Sequence, residues 1–100
     1  MELCFFIHCY RQLIIKIMYG DTRQKYVRLK EYDQIIIFPQ IIEHSTFRHL
    51  EPVSAGFCSV GDDMIICNGG SVSLNLDSKE DDSFVATKQV FGWDAAEALL

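Results

Sequence analysis

Residues 52–76, PVSAGFCSVGDDMIICNGGSVSLNL, constrain this chain more than any other stretch. Two turn signals, Gly61-Asp62-Asp63 and Asn68-Gly69, divide it into three short apolar segments. Asn-Gly favours a tight hairpin because both residues tolerate positive φ. Residues 53–60 read as the first strand, with Gly56 marking a bulge or a close approach of another backbone. Residues 64–67 read as the second. Residues 71–76 alternate, Val72, Leu74 and Leu76 against Ser71, Ser73 and Asn75, as a strand with one wet face does. Antiparallel β-structure follows, with Val53, Phe57, Ile66, Val72 and Leu74 as its expected core.

The flanking segments extend that sheet. Residues 26–30 alternate in the same way, and Ile35-Ile36-Ile37-Phe38 is a β-branched run ended by Pro39, which cannot donate to a ladder. With Glu31-Tyr32-Asp33-Gln34 as the turn, the two form a hairpin. Residues 41–50 suit a short helical turn, and Glu51-Pro52 takes the chain out of helix. Residues 78–91 read as the main helix, with Ser78 and Asp81 resembling a capping box and the acidic run 80–82 complementing the helix dipole. Gly92 closes it, and a second short helix capped by Asp94 follows. The expected architecture is a single α+β domain: an antiparallel meander of about five strands with the C-terminal helix packed on one face.

Residues 1–19, MELCFFIHCYRQLIIKIMY, differ from the rest, and the domain proper is expected over residues 20–100. His8, Arg11, Gln12 and Lys16 form a narrow polar stripe on an otherwise apolar helix. A buried helix, a segment lying in a membrane interface, and a natural start at Met18 are competing explanations. Arg11 and Lys16 break the apolar run before it reaches the length of a bilayer span. No charge-apolar-small pattern of a signal peptide precedes the domain, so free thiols in a reducing cytoplasm are expected for Cys4, Cys9, Cys58 and Cys67.

One hundred residues bury enough surface to fold without a metal or a disulfide, and 49% apolar residues argue against disorder. The net charge of −5 is uneven. Residues 1–30 carry six basic and two acidic groups, a net of +4. Residues 31–100 carry three basic and twelve acidic groups, a net of −9. Nine Lys and Arg against fourteen acids leave too little basic surface for DNA binding by the whole domain. Membrane contact is expected only if residues 1–19 supply it.

Three side-chain sets bear on chemistry. His44, His49, Cys58 and Cys67 are the nearest approach to a zinc set, yet eight residues separate the cysteines and no tight knuckle delivers them. A two-residue Asp62-Asp63 loop would put Cys58 opposite Cys67, whereas a Gly61-Asp62 loop would set Cys58 against Ile65. Cys58 with His44 or His49 is a nucleophile pair on paper, but catalytic thiols need an electropositive, partly exposed site. Asn68, Gly69, Gly70 and Ser71 could offer backbone amides to a phosphate, with Arg28 or Lys30 as the basic partner. Neither a P-loop lysine nor a calcium-loop spacing is present. No cofactor is expected.

From IIIFP through His44, PVSAGF and CNGGSVSL to the S-x-x-x-D that ends near Ser83, residues 35–83 resemble small uncharacterised proteins of bacteria and their prophages. The resemblance covers about half the chain and implies an accessory role without any particular activity. The leading expectation is a non-enzymatic binding module whose partner is another protein or a second copy. A small-ligand or nucleotide binder, and a zinc protein or thiol enzyme, are the alternatives.

Overall fold

The computed structural model describes residues 23–100, so the apolar segment 1–19 lies outside the described residues. The architecture is the expected α+β. Strand β1 (Gln24–Leu29) is followed by a single 3₁₀ turn (Glu31–Asp33), β2 (Ile35–Phe38) and a second 3₁₀ segment (His44–Leu50). Then come β3 (Pro52–Val60), β4 (Ile65–Asn68), β5 (Gly70–Ser71) and β6 (Leu76–Asp77). Two helices finish the chain, α1 (Asp82–Phe91) and α2 (Trp93–Glu97). The main sheet runs β2-β1-β3-β4, with every pairing antiparallel, and β5 with β6 makes a two-stranded ribbon.

This order puts β1 in the centre with both faces covered. Tyr26 joins Ile35, Cys58 and Ile65 beneath Val85 and Ala86 of α1. Val27 and Leu29, pointing the other way, join Phe38 and Ala55, with Phe47, Leu74 and Leu76 packed against them. The period-two alternation of β1 therefore separates two cores, not a core and a wet face. His44 is built into the second layer. Its Nε2–H donates to the Gly56 carbonyl at 2.9 Å, and its ring meets Phe38 and Phe57 edge-on.

Local chemistry explains the joints. Gly61 N–H donates to the Met64 carbonyl at 2.8 Å, which makes Asp62-Asp63 a two-residue loop. The register that follows places Cys58 opposite Cys67. Gly56 marks a close approach: a Cβ there would lie 2.5 Å from both the Asn68 carbonyl oxygen and Ser78 Oγ.

Four expectations are corrected. Asn68-Gly69 does not close a hairpin: only Gly69 takes positive φ, β4 pairs back onto β3, and β5 pairs with β6 in a separate sheet. Residues 71–76 do not form one strand. Asn75 sits in the left-handed region at φ 54°, so the chain turns back on itself between β5 and β6 and Val72 is left 99% exposed. Ile66 is also exposed, because β4 is an edge strand and only its Ile65 and Cys67 face α1. The main helix begins at Asp82, four residues later than expected. Ser78 is drawn away: its hydroxyl donates to the Tyr26 phenol oxygen at 2.8 Å, leaving the Tyr26 proton for Asp82, while its N–H donates to the Gly69 carbonyl at 2.9 Å.

Candidate functional site

The basic strand face expected at Arg28 lies under α1. Arg28 is 7% exposed and, among the described residues, makes three ion pairs: with Asp82 at 2.9 Å, Asp81 at 2.7 Å and Asp33 at 3.1 Å. Asp82, wholly buried, is the hub. Its Oδ1 accepts from Arg28 and from Ser54 Oγ at 3.0 Å, and its Oδ2 accepts from the Lys79 N–H at 2.9 Å and from the Tyr26 hydroxyl. Burial and the bond to Asp82 push the Tyr26 phenol far above its ordinary pKa. The hydrogen bond from Arg28 holds Asp81 below the usual carboxylate range. This network bolts β1 and β3 to the start of α1. Its hub is sealed from water, so it has structural work and no access for a substrate.

The other expected site residues are also accounted for. Asn68 Oδ1 accepts from Arg23, Gly69 takes φ 81°, and Gly70 pairs with Asp77. Ser71 Oγ accepts from the Leu74 N–H at 3.2 Å. A shallow hollow beside this turn is lined by Gly70, Ser71, Val72, Asn75, Leu76 and Asp77. Among the described residues of its lining the charged group is the Asp77 carboxylate, which opposes a phosphate. Lys30 is exposed at the end of β1 and does not line that hollow.

The structure separates the residues of the zinc set. Cys58 and Cys67 face each other in the layer beneath α1, His44 packs in the opposite layer, and His49 is exposed at a different edge. Among the described residues, no group of three His, Cys, Asp or Glu is placed to hold a metal. Burial pushes the Cys58 thiol up to about 12 and raises Cys67 as well, which disfavours a thiolate nucleophile at neutral pH.

A different place has the form of a site. Between the Glu31–Asp33 turn and the end of the His44–Leu50 segment lies a cleft of about 470 Å³, within the range that binding pockets occupy. Leu29, Ile36 and Leu50 supply apolar wall, and Tyr32, Glu31 and Glu51 supply a ring and two acids. Gln34 and His49 complete the lining. The Leu29 N–H to Gln34 carbonyl bond at 2.8 Å closes the hairpin on one side, and the Lys30 N–H to Glu51 carbonyl bond at 3.3 Å ties the two sides together.

The backbone around this cleft is unusual. In the four-residue loop between Leu29 and Gln34, Tyr32 and Asp33 both take positive φ, 61° and 50°. Glu51 ends its 3₁₀ segment at φ 55°. Asn, Asp and Gly suit such positions; a tyrosine there costs about 1 kcal/mol or more. The Tyr32 ring gives nothing back in burial, being 89% exposed.

No protein-family model, curated protein or solved structure matches the chain. The side chains themselves therefore carry the functional reading.

The sequence marked residues 31–34 as a turn and gave no sign of a site there. Tyrosine has no preference for positive φ, so no residue type in the turn announced the left-handed backbone at Tyr32. Recognising the cleft also needed residues 49–51 brought alongside, and no local pattern records that neighbourhood.

Proposed function

We propose that this protein is a non-enzymatic binding module, and that the cleft beside Tyr32 receives a basic side chain from a protein partner. The observation that carries this is Tyr32 itself. An aromatic ring is held in water on a left-handed backbone, where it helps neither packing nor turn formation. Strain of this kind collects where a protein binds. An arginine side chain matches the lining in each part. Its aliphatic stem suits Leu29, Ile36 and Leu50, its guanidinium stacks on the ring, and Glu31 and Glu51 complement its charge.

The resemblance of residues 35–83 to small bacterial and prophage proteins supports an accessory role. The free thiols of buried Cys58 and half-buried Cys67 suit a reducing cytoplasm, and no helix among the described residues is long and apolar enough to cross a membrane.

Titration of the full chain with N-acetylargininamide, followed by amide chemical shifts, tests the reading. Shifts centred on Ile36, Leu50 and Glu51 that vanish in Tyr32→Ala are expected. Shifts centred on residues 70–77, or none at all, would reject the cleft.

A further inference from the structure

The two edges of the main sheet are finished differently. On β4, both residues that turn their main-chain groups outward are closed by hydroxyls of α1. The Ile65 N–H donates to Thr87 Oγ1 at 2.9 Å, and Thr87 donates back to the Ile65 carbonyl at 3.2 Å. The Cys67 N–H donates to Ser83 Oγ at 2.7 Å, and Ser83 donates back to the Cys67 carbonyl at 3.5 Å. Such capping is how a sheet prevents another strand from adding to it.

On β2 the closure is partial and of another kind. The Ile35 N–H donates to Gln89 Oε1 at 2.8 Å, and Gln89 Nε2 donates to the Ile35 carbonyl at 2.7 Å. A primary amide thus makes both bonds that the peptide group of a neighbouring strand would make. It is carried on a long side chain of an exposed residue. In an antiparallel ladder, outward groups recur every second residue, so Ile37 points its N–H and C=O outward as Ile35 does. Among the described residues, no side chain closes that second pair as Gln89 closes the first.

We infer that β2 is a strand-addition edge for an extended, basic segment of a partner protein, with Gln89 holding the place of the incoming backbone. The inference rests on the cleft reading and extends it, because Ile36, between the two outward residues, lines the cleft. A segment pairing antiparallel with β2 sets one residue against Ile37, the next against Ile36 and the next against Ile35. Side chains opposite one another share a face. The middle residue therefore points to the side of the sheet that carries the cleft, and its expected identity is Arg or Lys. Charge complementarity selects this occupant: Glu31 and Glu51 line the cleft, and residues 31–100 carry a net of −9. Pro39 ends the edge, so the paired length is confined to residues 35–37.

The test is titration of the full chain with acetyl-Thr-Ile-Arg-Ile-Thr-amide, and with the same peptide N-methylated at both isoleucines. The plain peptide is expected to bind about tenfold more tightly than the N-methylated one. Gln89→Ala, which removes the competing amide, is expected to tighten it by about threefold. Ile37→Pro is expected to abolish binding, since proline fits an edge position whose N–H faces outward. Equal binding of the N-methylated peptide, or weaker binding by Gln89→Ala, overturns strand addition even if Ile37→Pro fails to fold. Self-association of Gln89→Ala without peptide binding assigns the edge to a second copy and likewise overturns the proposal. Replacing the peptide arginine by glutamate separates the two readings. Unchanged affinity with the N-methyl effect intact would sink the cleft and leave strand addition standing.

Discussion

Two tyrosines, six residues apart, show two uses of a polar aromatic. Tyr26 lies on the central strand with its ring in the core and its hydroxyl bonded to Asp82 and Ser78. Tyr32 lies in the turn that follows, on a left-handed backbone and in water. Each has carboxylates beside it. Around Tyr26 the acids are matched by Arg28, Ser54 and a main-chain amide. Around Tyr32, Glu31 and Glu51 line an open cleft. A satisfied network stabilises the fold. An arrangement that strains the backbone and leaves its groups facing solvent has its compensation elsewhere, and binding supplies one.

The comparison breaks most sharply at Asp82. Asp82→Ala leaves Arg28 without its buried partner and strips an acceptor from Tyr26 and Ser54. A loss of about 3–5 kcal/mol is expected by urea unfolding. Were Asp82→Ala to unfold at the same urea concentration as the parent, the network would have no structural weight. Tyr26→Phe keeps the ring and removes only the hydroxyl, so about 1–2 kcal/mol should be lost in the same measurement. Tyr32→Phe, by contrast, should leave stability unchanged. Equal effects at the two positions would erase the distinction between them.

The smallest expected effect is in pH. Arg28 lowers the folded-state pKa of Asp81. The stability this contributes is complete above the ordinary carboxylate pKa and is lost as pH falls through the lowered folded value. With its side chain 60% exposed, Asp81 is well screened by water and salt. Asp81→Asn should flatten the acid limb of the stability profile slightly, and more visibly at low ionic strength.

Much of the sheet was legible because its turns carry strong chemistry. Asp62-Asp63 joins β3 to β4 and Pro39 ends β2 where it should, whereas Asn68-Gly69 ends β4 without closing a hairpin. The errors have physical causes. Tyr26 and Arg28 look like a solvated strand face until Asp81 and Asp82, more than fifty residues away, are brought over them. The acidic run 80–82 looks like helix-dipole compensation, and Asp82 does open the helix; its carboxylate, however, is the network's hub. Val72, Leu74 and Leu76 alternate as a strand would, but the left-handed Asn75 outweighs the pattern. The cleft was hidden for another reason. Tyrosine has no preference for positive φ, so nothing in its identity announces the conformation of Tyr32.

The central claim is that the Tyr32 turn is built for binding at some expense to folding. Urea unfolding of Tyr32→Gly tests it most directly, because glycine takes the left-handed conformation without strain. The account predicts a higher midpoint at unchanged m-value, with a gain of about 1 kcal/mol. A midpoint below that of the parent chain would show that the Tyr32 ring serves the fold, and would contradict the account.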